Sequence, residues 1–173
     1  ETIYGGAGDD WIFAGGGDDY VEAGSGQNVV LGGAGWDTLI GGGDADVLDG
    51  DSETANTDGS FGNDYLEGRG GIDVLRGGNG DDVLYGGAGN DILLGGAGKD
   101  RYVYKRGDGE DFVVDPDISA DSQYLSSVVM GPGITKDDVK FRRGSLLIHL
   151  GGGDALHFEG FDADDPWSTP MLD

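Results

Sequence analysis

Aspartate recurs at one fixed place in a nine-residue unit: Asp10, Asp19, Asp37, Asp46, Asp64, Asp73, Asp82, Asp91 and Asp100, with Asn28 taking that place once. Stacked carboxylates repel unless a cation lies between them. Hard oxygen ligands, carboxylates together with turn carbonyls, select Ca²⁺ over softer metals. The chemistry on offer is therefore repeated cation binding. The unit reads G-G-x-G-x-D-x-U-x, with U apolar, and runs in register from Gly5 to Val103. Copies start at Gly5, Ala14, Ala23, Gly32, Gly41, Gly50, Gly59, Gly68, Gly77, Gly86 and Gly95. Glu1-Thr2-Ile3-Tyr4 fits the tail of one more unit, so the chain is expected to begin inside an array.

The elements that position these carboxylates follow from the period. Units this short bury their apolar face only against neighbouring units, which is the pattern of a solenoid. The eighth slot holds Ile12, Val21, Val30, Leu39, Leu48, Leu66, Leu75, Leu84, Leu93 and Tyr102. Each is the centre of a predicted three-residue strand whose middle side chain points inward. The six residues before it form a turn, with glycines where positive φ or close backbone approach is required.

The runs GGAGDDWIF, GGNGDDVLY, GGAGNDILL and GGAGKDRYV resemble the RTX calcium-binding repeats of secreted bacterial proteins. The resemblance covers Gly5 to Val103. It implies an all-β fold, a right-handed parallel β-roll with two units per coil and six to eight Ca²⁺ ions. Each ion would lie between the Asp of one turn and the Asp of the second turn along. Carbonyls of Gly5, Gly32, Gly41, Gly68, Gly77, Gly86 and Gly95, and of Asn79 and Ala88, would complete the ligand sets. The resemblance further implies secretion through a type I apparatus.

One segment breaks the pattern. Residues 50–58, GDSETANTD, put Ala55 in the ligand slot and Thr57 in the core slot. They are either a degenerate rung or a loop within one turn that leaves after Gly50-Asp51 and returns at Phe61-Gly62-Asn63-Asp64. A rung with neither ligand nor core residue has nothing to hold it, whereas a surface insertion costs little extra loop entropy. The loop is the favoured reading. It pairs Asp19/Asp37, Asp37/Asp64, Asp46/Asp73, Asp64/Asp82, Asp73/Asp91 and Asp82/Asp100. Asn28 weakens its pairs with Asp10 and Asp46. Asp51 and Asp58 could take a further ion but are expected to be solvated, and Asp44 and Trp36 read as tolerated surface variation.

The formal charge of −24 pushes a chain of this size toward expansion, and bound calcium would neutralise much of it. The 38 glycines are demanded by turns and the absence of cysteine excludes a disulfide framework. No apolar run approaches the length of a membrane helix. After Val103 the period stops. Residues 104–173 read as a β-rich cap over the open end of the solenoid, because RGDGEDFVVD, GPGITKDDVKFRRG and LLIHLGGGDALHFEGF resemble the segment that often follows such arrays. Strands are expected at Ser127–Met130, at Val139–Arg142 and Leu146–Leu150 as a hairpin, and at Ala155–Glu159.

Catalysis finds little support. Adjacent pairs such as Asp9-Asp10 and Asp81-Asp82 point apart and cannot oppose an acid to a base. His149 and His157 alternate with apolar residues on strands without a zinc-type partner. Arg106-Gly107-Asp108 is an integrin-type tripeptide of a kind that recurs by chance. A P-loop lysine is missing, and the acidic balance argues against nucleic acid. The expected class is a calcium-triggered, extracellular, monomeric folding module. The alternatives are an adhesion module, in which Lys140, Arg142 and Arg143 contact a host-cell or glycan surface, and the tail of a secreted enzyme or toxin whose active site lies elsewhere.

Overall fold

In the computed structural model, the structure describes residues 1–51, 61–115, 126–138 and 146–159. Every regular element among them is a strand. The first half comprises β1 (Thr2–Ala7), β2 (Trp11–Gly16), β3 (Tyr20–Ser25), β4 (Val29–Ala34), β5 (Thr38–Gly42) and β6 (Val47–Asp49). Then come β7 (Tyr65–Gly71), β8 (Val74–Asn79), β9 (Val83–Gly89), β10 (Ile92–Ala97) and β11 (Arg101–Tyr104). Beyond the repeats lie β12 (Glu110–Val114), β13 (Ser127–Met130), β14 (Leu146–Gly151) and β15 (Asp154–Glu159).

Successive strands alternate between two sheets. One runs β1-β3-β5-β7-β9-β11-β13, the other β14-β15-β12-β10-β8-β6-β4-β2. All pairings are parallel except β14 with β15. This is a parallel β-roll with two units per coil. Each inward side chain is the eighth-slot residue, and from Val21 to Tyr102 these are at most 1% exposed. They form a single file between the sheets, continued by Val113, Val128 and Leu156. One apolar side chain per unit suffices because each strand is flanked by two others that carry the same residue type in register.

Most strands are longer than the three residues expected. Most run on through the first three positions of the next unit, because glycine there pairs with glycine one coil away, as Gly15 does with Gly33. Gly33 has φ +116°, and a methyl group on it would overlap the Gly15 carbonyl oxygen. Coil-to-coil backbone contact thus requires glycine on both counts.

Within the repeats the register changes once. Rungs lie eighteen residues apart until the interruption, where Thr38 pairs with Tyr65 and Val47 with Val74, twenty-seven apart. Gly50 and Asp51 hydrogen-bond to Arg76 and Gly77, and Gly62 stacks on Gly35. The chain therefore leaves the turn after Asp51 and re-enters it by Gly62 without adding a rung. A rung at 50–58 would have set Asp64 above Asp46. Instead Asp64 stands above Asp37. Asp58, Ala55 and Thr57 lie outside the described residues.

The sheets do not stop at Val103. β12 stacks on β10 and β13 on β11, in parallel, with Val113 beside Leu93 and Val128 beside Tyr102. β15 adds to β12, and β14 closes that sheet as an antiparallel edge through the Gly152-Gly153 turn. The expected strand at 139–142, and with it Lys140, Phe141, Arg142 and Arg143, lies outside the described residues. Among the described residues no helix is long and apolar enough to cross a membrane.

Candidate metal centre

Each ladder aspartate enters through the last position of its turn, one residue before the strand, so its carboxylate lies between successive turns. From Asn28 onward, Oδ1 accepts the backbone N–H of the ladder residue one coil earlier. Asp37 accepts from Asp19 at 3.0 Å, Asp82 from Asp64 at 2.8 Å, Asp91 from Asp73 at 2.9 Å and Asp100 from Asp82 at 3.0 Å. Across the interruption Asp64 accepts from Asp37 at 2.8 Å and Asp73 from Asp46 at 2.7 Å. All six aspartate pairings read from the sequence are adjacent rungs of two such ladders. Side chains and backbone meet here, rather than carboxylate and carboxylate.

The second oxygen is left over. Oδ2 of Asp10, Asp19, Asp37, Asp64, Asp73, Asp82, Asp91 and Asp100 is buried without a hydrogen-bond partner. A buried carboxylate oxygen without a partner costs several kcal/mol in an apolar setting, about as much as a domain can spare. The space it faces is specific. Asp73 Oδ2 and the Gly86 carbonyl oxygen both press on the Gly68 Cα, so that a methyl group there would overlap both. The same arrangement joins Asp82 Oδ2 with the Gly95 carbonyl at Gly77, Asp64 with Gly77 at Gly50, Asp37 with Gly50 at Gly32, and Asp10 with Ala23 at Gly5. Among the described residues no three acidic or histidine side chains converge. The donor set is one or two carboxylates plus carbonyls, which suits a hard cation with many oxygen ligands.

Two spaces differ. Asn28 Oδ1 accepts the Asp10 N–H, and its Nδ2 donates to Asp46 Oδ1 and the Gly26 carbonyl. Asp46 Oδ2 accepts the Gly42 N–H at 2.7 Å. Both are satisfied by the protein itself. Of the glycines expected to donate carbonyls, Gly68, Gly77, Gly86 and Gly95 do face a carboxylate across the turn, whereas Gly5, Gly32 and Gly41 line the spaces with their Cα atoms. The Asn79 N–H donates to Asp51 Oδ2, and Ala88 pairs with Gly70. Gly50 and Ala23, which the sequence reading passed over, supply carbonyls instead.

Burial governs the ladder's protonation. Loss of water pushes Asp37 up to about 6, Asp73, Asp82 and Asp100 to about 7 and Asp64 to about 8. The backbone N–H that each accepts opposes this, and neighbouring carboxylates add to it. Asp46 and Asp91 move the same way, again through burial. Folded values above the ordinary ~3.9 mean that the metal-free roll holds protons more tightly than the coil does. That stabilisation is complete below about pH 4 and lost as pH rises through about 6 to 8. In chelator, β-type circular dichroism should therefore grow as the solution is taken from about pH 8 to about pH 4.5. Identical spectra at both ends would contradict the burial of these groups.

Sequence reading missed a second ladder. On the outer surface, fifth-slot side chains accept the N–H of the same slot one coil later: Asp9 from Gln27, Asp18 from Trp36, Asn63 from Asp81 and Asp81 from Lys99. Asp44 is not idle variation, because it accepts the Gly26 N–H. Asp51 is buried rather than solvated. Asp108 is buried too, accepting the Lys105 N–H, so Arg106-Gly107-Asp108 offers no free carboxylate to a receptor. His157 pairs with Glu110 at 2.6 Å and His149 Nδ1 accepts the Gly151 N–H, both ordinary strand and turn contacts.

The model of the RTX calcium-binding nonapeptide repeat matches residues 1–30, 31–53 and overlapping blocks from 58 to 113, well over half of the chain. The chain belongs to this family. The RTX repeats here are thus calcium-binding and carry no catalytic machinery of their own. No curated protein matches the chain. Among solved structures it is similar to the extracellular lipase LipA from Serratia marcescens, at 17% identity and a TM-score of 0.45, over 95% of this chain and 38% of the lipase. The chain spans well under half of that lipase's length.

Proposed function

We propose that this RTX domain is a calcium-triggered folding module of an extracellular bacterial protein. It stays unfolded at cytosolic calcium and folds after type I export, with residues beyond 103 capping the roll. The observation that carries this reading is the set of eight buried Oδ2 atoms without partners. Asp10, Asp19, Asp37, Asp64, Asp73, Asp82, Asp91 and Asp100 would hold the ions, with the carbonyls of Ala23, Gly50, Gly77, Gly86 and Gly95 as further ligands. Calcium supplies the positive charge that these spaces lack. The chain's own part is to set carboxylate and carbonyl at a fixed separation and to keep competing water out. Because every space is shared by two turns, filling one orders the next, and binding is expected to be cooperative.

The closing measurement is equilibrium dialysis against ⁴⁵Ca²⁺ at millimolar free calcium. Six to eight ions per chain are expected, taken up with a steep dependence on concentration. Uptake of only one or two ions would overturn the reading.

A further inference from the structure

The ladder does not end with the last repeat. Read two residues out of phase, Arg106-Gly107-Asp108-Gly109-Glu110-Asp111-Phe112-Val113-Val114 carries glycine in the second and fourth slots, aspartate in the sixth and an apolar residue in the eighth. The fold treats it as a unit. Gly107 and Gly109 have φ +95° and +104°, as second- and fourth-slot glycines have elsewhere. Gly109 bridges to Gly89, and the Glu110 N–H donates to Asn90 Oδ1 at 3.0 Å, continuing the outer ladder. The Asp91 N–H donates to Asp111 Oδ1 at 3.0 Å, continuing the inner one.

We propose that the ion held by Asp91 sits in a junction site framed by Asp91 and Asp111, built jointly by the last roll turn on that side and the cap, which fastens the cap to the roll. The proposal rests on reading the ladder as a calcium centre. Asp91 is 1% exposed and its Oδ2 has no partner. At Asp10, Asp37, Asp64, Asp73 and Asp82 that oxygen faces a carbonyl of the turn one coil later, and the turn one coil after Asp91 is 106–111. Two features set this space apart. Asp108 and Asp154, both buried, bring their charge to bear on Asp111. Asp108 accepts the Lys105 N–H and the Tyr85 hydroxyl, and Asp154, from the turn that opens β15, accepts the Gly107 N–H at 3.0 Å. The Lys105 ammonium is drawn over the Tyr85 ring, 3.7 Å from its centroid. Greater negative charge around a calcium site raises its affinity.

The other ladder ends differently. There the Asp100 N–H donates to Ser126 Oγ, a neutral group. The Tyr102 hydroxyl lies with Asp100 Oδ2 against Gly95, where other rungs place a carbonyl, and donates to Asp115 Oδ2 at 3.1 Å. One row closes on the Ser126 and Tyr102 hydroxyls, the latter bonded to Asp115. The other closes on Asp111, a carboxylate that itself accepts the ladder N–H.

Asp111→Asn in the full chain keeps the oxygen that the Asp91 N–H needs and removes the charge. Dialysis at saturating calcium should find one ion fewer than in the parent chain, and circular dichroism should show a calcium midpoint raised several-fold. An unchanged ion count with an unchanged midpoint overturns the junction site. Should Asp111→Asn not fold at any calcium concentration, Asp108→Asn lowers the charge without touching the ladder. It should weaken the tightest ion and leave the count intact, and an unaltered tightest affinity overturns the proposal. Asp73→Asn separates the two levels. It should lose calcium if the ladder binds it, and a full count in that variant would sink the ladder reading itself.

Discussion

In excess chelator at neutral pH the chain should give the circular dichroism of a coil, and in millimolar free calcium that of β-sheet. The formal charge of −24 and the buried ladder both oppose folding until a cation enters. At free calcium ten times the dissociation constant, each site contributes about 1.4 kcal/mol by mass action. Eight such sites give about 11 kcal/mol, similar to the whole stability of a domain at about 5–15 kcal/mol. At submicromolar calcium, sites with constants of order 10⁻⁴ M contribute almost nothing. The transition should therefore be all-or-none in calcium. A β-rich spectrum in chelator at neutral pH would show that the roll stands without the ion.

Removing residues 104–173 should abolish calcium-induced folding or raise the calcium midpoint many-fold. The first coil of a glycine-rich roll is costly, because backbone is ordered before neighbouring rungs supply contact. The cap offers a template in place. β12 and β13 lie in register on β10 and β11, and Tyr102, Tyr104, Val113, Val128, Ile148, Leu156 and Phe158 are buried together at that end. The Tyr104 hydroxyl donates to the Gly109 carbonyl, which ties the last repeat strand to the turn that follows. Deleting a similar length from the N-terminal repeats should only shorten the roll. Equal calcium midpoints for capped and uncapped chains, read by circular dichroism, would make the cap a passenger.

The roll was legible because its determinants are local and repeated. Asp in slot six and Leu, Ile or Val in slot eight carry both the ligand row and the core, and the missing pair at Ala55 and Thr57 favoured a loop over a rung, which the twenty-seven-residue register then decides. What was not legible depends on atoms that spacing does not encode. Nothing in the period says that Oδ1 is consumed by a backbone N–H one coil back while Oδ2 is not. The outer ladder was hidden because Asp9, Asp18, Asn63 and Asn90 share a function without sharing a residue type. The unit at 106–114 was hidden by a two-residue shift after Tyr104, although its Gly-x-Gly-x-Asp signature was present. Phe112 and Val113 are both apolar and adjacent, and only the strand's alternation decides that Phe112 faces outward at 38% exposure while Val113 turns in.

The most direct test of the central claim is an anomalous-scattering map from crystals grown with calcium or a lanthanide. The account predicts two rows of ions, each within bonding distance of one of the eight Oδ2 atoms, with ladder partners eighteen residues apart, twenty-seven apart at Asp37/Asp64 and Asp46/Asp73, and twenty apart at Asp91/Asp111. Density confined to the surface, away from the unpartnered carboxylate oxygens, would contradict it.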